Sequence, residues 1–212
     1  MPTGFLEDRV EGMDFVVYVP RDVKPPFPAI LFLHGMGESG TDGLKQVIQG
    51  IGSSIQWDRS RWPFLVVLPQ KPRADQLWPA YQSQLNEILH KVESGYDIDD
   101  HRRYMTGLSQ GGHGTFNLAG NLAWTFAAAA PICGWCDSDE ALDKLKDIPL
   151  WAFHGDADPA VPVGKSIDAV EKLKAKGADA KLTIYEGVAH NSWDKAYRES
   201  GLPEWFGGHS TL

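Results

Sequence analysis

The stretch Tyr104 to Ala119, YMTGLSQGGHGTFNLA, carries the pattern G-x-S-x-G at Gly107, Ser109 and Gly111, and its reading decides the fold. An apolar run precedes the serine and a segment able to form a helix follows it. A strand must therefore turn into a helix around Ser109. In so tight a turn, glycines at 107 and 111 remove side chains that would collide, and Ser109 takes a backbone conformation that ordinary loops avoid. A serine hydroxyl alone is a weak nucleophile, so the reading requires a base and an orienting acid elsewhere in the chain.

Outward from this turn, the sequence alternates strand and helix signals. Asp14 to Pro20 reads as a strand stopped by proline, and Lys24 to Pro28 as a stiff turn. Ala29 to Leu33 and Phe64 to Pro69 are apolar almost throughout, as in strands covered on both faces, and are expected to be central neighbours in a parallel sheet. Tyr81, Leu85, Ile88, Leu89 and Val92 place a helical face between Trp78 and Val92, with Gly95 as its stop. Arg103 to Thr106 is a short strand into the serine turn, and Trp124 to Ile132 is a further buried run. Asp139 to Lys146 suits a short helix, Leu150 to Phe153 a strand, Val163 to Lys176 a helix ending at Gly177, and Lys181 to Tyr185 a strand near the sheet edge. Thr41 to Arg61 resists assignment, because Leu44, Val47, Ile48 and Ile51 favour a helix that Gly50 and Gly52 interrupt. The rhythm predicts a three-layer α/β domain with a mostly parallel sheet and right-handed crossovers, spanning residues 1–212 as one unit.

Composition bounds the function. The 212 residues are 42% hydrophobic and 23% charged, with a formal net charge of -8, which argues against a general affinity for nucleic acid or anionic membrane. No apolar stretch approaches a transmembrane span, and the opening MPTGFLEDRVEG lacks the basic and apolar regions of a secretion signal. The expectation is cytoplasmic for the chain as given, and secreted if it is a processed or excised piece. Oligomeric state is not readable.

Residues able to assist Ser109 lie at the ends of later strands. His154-Gly-Asp-Ala-Asp-Pro-Ala-Val-Pro162 follows a strand and offers Asp156 and Asp158, on the sheet edge that parallel strands share with Ser109. Asp158, fixed by Pro159, better suits a projecting acid than Asp156. His190, in a loop after the last strand, supplies the base. In this scheme His190 takes the Ser109 proton as the hydroxyl attacks an ester, then gives it to the departing alcohol, while Asp158 steadies the imidazolium. Backbone N–H groups of Gln110 and Met36 are the expected donors to the oxyanion. Trp78 and Trp135 are candidate aromatic walls for substrate, each with core packing as the alternative. His113 reads as a supporting residue rather than a second base.

Two further patterns are weaker. Gly35-Met-Gly37-Glu-Ser-Gly40 satisfies G-x-G-x-x-G, with Asp58 as the acid to be sought for a ribose, but no obvious second strand leads to Asp58. Cys133-Gly-Trp-Cys136 lacks a following redox helix and a second cysteine pair for zinc, leaving a local disulfide or a pocket wall. No cofactor and no metal are expected.

Taken together, LHGMGESG (Leu33 to Gly40), DIDDHRRYMTGLSQGG (Asp97 to Gly112), HGDADPAVPV (His154 to Val163) and GVAHNSW (Gly187 to Trp193) resemble the compact α/β-hydrolase esterases. The similarity is to the carboxylesterase and phospholipase-like group and to the feruloyl esterase or polyhydroxybutyrate depolymerase-like group. That resemblance implies Ser109, Asp158 and His190 as catalytic triad, in that chain order, and Met36 with Gln110 as the oxyanion hole. The segment from Cys133 to Ile148 is long enough only for a small cover. The expected activity is hydrolysis of short-chain or hydroxycinnamoyl esters, small or linked to polysaccharide. Its rivals are a serine peptidase or acyl aminoacyl hydrolase and a carbohydrate-binding module without catalysis.

Overall fold

The computed structural model describes residues 2–211. Its strands are β1 (Gly4–Val10), β2 (Met13–Val19), β3 (Phe27–Leu33), β4 (Leu65–Gln70), β5 (Ile98–Leu108), β6 (Ala128–Ile132), β7 (Leu150–Gly155) and β8 (Ala180–Tyr185). They form one sheet in the order β1-β2-β4-β3-β5-β6-β7-β8. β1 pairs antiparallel with β2 and β2 with β4, and every later pairing is parallel. The carboxyl ends of β3, β5, β7 and β8 therefore open onto one edge, where ligands of open α/β sheets bind.

The helices are α1 (Gly50–Trp57), α2 (Gln82–Gly95), α3 (Gln110–Leu118), α4 (Asp139–Leu145), α5 (Gly164–Ala175), α6 (Trp193–Arg198) and α7 (Leu202–Gly207). Period-two alternation in the strands sorts them into two layers. Leu31, Leu33, Val67 and Met105 pack against Leu85, Ile88, Leu89 and Val92 of α2, with α3, α4 and α5 on the same side. Ile30, Phe32, Val66 and Tyr104 face the opposite way, against α1, α6 and α7. Each fully buried aliphatic contributes roughly 1.5–3 kcal/mol of transfer free energy, which is why central strands such as β3 read as apolar without interruption. Among the described residues only α4 intervenes between β6 and β7, so that crossover carries no large lid.

The strand and helix rhythm predicted from the sequence is present, β3 and β4 are neighbours, and β8 lies at the sheet edge. Several boundaries differ. β1 has no clear strand signal in the sequence, because Glu7, Asp8 and Arg9 are exposed on an edge strand and hide its alternation. β5 begins at Ile98 rather than Arg103, since its first turns carry polar, solvent-facing residues. The run from Trp124 is a strand only from Ala128, with Trp124 and Phe126 packed as core. The helix expected from Trp78 opens as a 3-10 turn, Trp78–Tyr81, before α2. Gly50 and Gly52 do not break a helix but permit one. Gly50 starts α1 at φ 56°, and a Cβ at Gly52 would lie 2.5 Å from the Val47 carbonyl oxygen.

Candidate active site

Ser109 is the single residue between the end of β5 and the start of α3, at φ 55° and ψ -117°. A non-glycine residue there costs on the order of 1–3 kcal/mol. Neighbouring contacts hold it. Its N–H donates to Ile132 O at 2.9 Å, and its carbonyl accepts from His113 N–H at 2.9 Å. The glycines are sterically required: a Cβ at Gly107 would lie 2.4 Å from Gly111 O, and one at Gly111 would lie 1.8 Å from Leu33 O.

The side chain of Ser109 meets residues from two other strand ends. Ser109 Oγ–H donates to His190 Nε2 at 2.9 Å, and His190 Nδ1–H donates to Asp158 Oδ2 at 2.6 Å. The other Asp158 oxygen accepts from Ala160 N–H and Val161 N–H at 2.8 and 2.9 Å. Burial pushes the Asp158 carboxyl up, but the His190 bond and these two amides outweigh it and hold the group below the usual carboxylate range. Asp156, the competing acid, accepts from Gly187 N–H at 2.7 Å and serves the turn. His154 also approaches, with Nε2 2.9 Å from Val161 O and 3.2 Å from Asp158 Oδ2. Burial lowers its pKa despite these acceptors. Trp193 meets the His190 ring edge-on at 5.2 Å, a contact with no spacing signal in the sequence.

The loop after β3 runs beside the serine. An ideal Cβ on Gly35 would lie 3.5 Å from Ser109 Cβ, in ordinary van der Waals contact, and 2.8 Å from Leu108 Cδ1, which would have to shift to admit it. Among the described residues, neither Met36 N–H nor Gln110 N–H donates to another protein group. Two free amides flanking a serine form an arrangement able to receive an oxyanion. His34 braces the loop: its Nδ1–H donates to Gly35 O at 2.6 Å, and its Nε2 accepts from Lys71 N–H at 3.1 Å. Burial pulls its pKa down to about 3, which keeps the ring neutral and this tautomer fixed.

The aromatic candidates separate. Trp78 is fully buried and donates its Nε1–H to His34 O at 2.9 Å, so it supports the loop and has no surface to offer a substrate. Trp135 is half-buried and tilts over His113 at 4.7 Å between ring centroids. His113 lies within 2.5 Å of Asp137 through Nε2, and burial lowers its pKa against the pull of that carboxylate. The two cysteines are free thiols, Cys133 buried at φ 40° and Cys136 partly buried. Cys133, Asp158 and His190 have ligand-type atoms within 4.8 Å of one another. Burial pushes the Cys133 thiol up, and Asp158 and His190 are already bonded to each other, so the trio favours protons over a metal ion. The Gly35 to Gly40 loop runs into turns rather than a helix start, which removes the context of a dinucleotide fingerprint. No helix among the described residues is long and apolar enough to cross a membrane.

Comparison with known proteins matches residues 61–199 to a family described as phospholipase/carboxylesterase. A bifunctional acetylxylan esterase/xylanase from Neocallimastix patriciarum is 26% identical over 160 residues, 73% of this chain and 22% of that protein. Acyl-protein thioesterase 1 from Saccharomyces cerevisiae is 24% identical over 204 residues, 82% of this chain and 90% of that protein. Among solved structures, a thermostable esterase superposes with TM-score 0.85 at 31% identity, covering 98% of this chain and 63% of that one. The chain thus spans about a fifth of the first of these proteins and less than two thirds of the last.

Proposed function

The chain belongs to the phospholipase/carboxylesterase family of α/β-hydrolases, and on that premise we propose that it hydrolyses short-chain carboxylic esters through an acyl-enzyme on Ser109. The observation that carries the reading is the unbroken relay from Ser109 Oγ to His190 at 2.9 Å and from His190 to Asp158 at 2.6 Å. As Ser109 Oγ attacks the ester carbonyl, its proton passes to His190 Nε2, and Asp158 steadies the resulting imidazolium. The oxyanion is received by the amides of Met36 and Gln110. Collapse expels the alcohol with the proton from His190. Water then attacks the acyl carbon as it gives a proton to the same nitrogen, and collapse breaks the bond to Ser109 Oγ, which takes that proton back as the acid leaves.

Substrate size follows from how little covers the serine. Only α4 lies between β6 and β7, and Met36 is 57% exposed, so a long acyl chain would leave most of its length in water. The half-buried rings of Trp135 and Trp193 offer flat apolar surface to a small acyl or hydroxycinnamoyl group. Relatives named as an acetylxylan esterase and an acyl-protein thioesterase are compatible with either an oxygen or a sulfur leaving group.

The experiment is hydrolysis of p-nitrophenyl acetate, butyrate and decanoate, methyl ferulate, an acetyl thioester and a peptide amide, by the chain and by Ser109→Ala. Acetate and butyrate should exceed decanoate in kcat/KM by about 10-fold or more. A preference for decanoate would overturn the short-chain assignment. Ser109-dependent amide turnover above ester turnover would move the reading to a peptidase.

A further inference from the structure

Lys71 is a wholly buried lysine at the end of β4, outside the Ser109 relay and outside every motif that the sequence presents. Its Nζ donates to Ser39 Oγ at 2.8 Å and to Arg73 O at 2.7 Å. Both acceptors are uncharged, and they belong to different segments. Ser39 lies on the loop that carries the Met36 amide. Arg73 lies on the loop from 71 to 77, whose Ala74 carbonyl accepts from the Gln110 side chain at 3.2 Å. The lysine thus sits where the supports of the two free amides meet.

Its backbone strengthens the same junction. Lys71 N–H donates to His34 Nε2 at 3.1 Å, and Lys71 O accepts from Gly40 N–H at 3.1 Å, so both ends of the 34–40 loop are bonded to this residue. Within that loop Glu38 Oε2 accepts from Gly35 N–H at 3.0 Å. A carboxylate so near an oxyanion would repel it. A cation between the loops offsets that repulsion.

We propose that Lys71 is a positioning residue for ester hydrolysis, its ammonium clamping the Met36-bearing loop to the loop that supports Gln110. The inference rests on the reading of those two amides as the oxyanion hole. In free enzyme the clamp holds both N–H groups aimed at the serine; in the transition state it keeps them from being drawn out of register as charge grows on the carbonyl oxygen. The ammonium is needed because one nitrogen must supply donors to two loops and balance Glu38 at once.

The charged groups around Lys71 give the clamp a pH limit. Burial draws its pKa down to about 8, against the opposing pull of Asp75 and Glu38. Arg73, bonded through its carbonyl, and the neutral His34 adjoin the same residue. A lysine with a lowered folded-state pKa does not stabilise the fold through its charge at neutral pH. Methionine, which retains the stem and loses the donors, should therefore leave the fold standing.

The test is steady-state kinetics on p-nitrophenyl acetate from pH 6 to pH 9.5 for the chain, Lys71→Met, Ser39→Ala and the double variant. For K71M the clamp predicts kcat lower by about 10–100-fold, less than loss of an oxyanion donor, with KM within about 3-fold and Tm within about 3 °C. The fall in kcat above about pH 8 should disappear with the lysine. S39A should lose part of the same activity, and adding it to K71M should change little, because both cut one connection. A K71M enzyme with unchanged kcat and alkaline limb, or independent additive losses in the double variant, would overturn the proposal. Should K71M fail to fold, S39A decides alone: a kcat and alkaline limb equal to those of the unmodified chain contradict the clamp. Undiminished turnover by Ser109→Ala would instead remove the underlying reading.

Discussion

Asp158 reaches His190 Nδ1 at 2.6 Å, whereas Asp156, two residues earlier on the same loop, holds Gly187 N–H at 2.7 Å. The two acids are equivalent in composition and opposite in assignment. Asp158→Asn keeps the shape but turns a carboxylate that accepts from His190 into an amide that can favour the wrong imidazole tautomer. The expected fall in kcat is about 10^4-fold, on the precedent of the corresponding change in the serine-protease triad. Asp156→Asn should cost less than about 3-fold, since an amide oxygen still accepts from Gly187. Rates for the two variants on one ester check this; comparable losses would deny Asp158 its role.

Three buried imidazoles, His34, His113 and His154, have folded-state pKa values lowered by burial, His34 to about 3. A group that resists protonation when folded contributes stability in full above its unfolded pKa and loses it as pH falls toward the folded value. For His34 that window runs from about 6.5 down to about 3. Unfolding free energy should fall through it by up to about 1.4 kcal/mol per pH unit for this residue. Urea denaturation at several pH values on the chain and on His34→Gln measures it: the variant should show a shallower slope. Equal slopes would mean that His34 is protonated in the folded state or is not buried.

Much of this architecture was legible because local and global demands coincide. The glycines at 107 and 111 announce a turn in which Cβ atoms would strike Leu33 and Gly111 themselves, and strands buried on both faces read as unbroken apolar runs. Ser109, Asp158 and His190 were readable since each follows a strand whose carboxyl end shares one edge. Elements whose character depends on distant partners were not. β1 is polar outside its pairing with β2, and Lys71 is an unremarkable lysine until Ser39 and Arg73 close around it. Trp78 was legible only as an aromatic residue. Its orientation depends on the His34 carbonyl, 44 residues away, to which it donates. Cys133 beside Asp158 and His190 had no signal in its spacing, because three separate strand ends bring them together.

The central claim is that Ser109 carries the acyl group, and its most direct test is covalent labelling read by intact mass and peptide mapping. A fluorophosphonate should add one phosphonyl group per chain, located on the peptide containing Ser109. Ester turnover should fall in proportion to labelling, and Ser109→Ala should neither label nor turn over. Labelling at another residue, or ester hydrolysis by Ser109→Ala at the rate of the unmodified chain, would contradict the account.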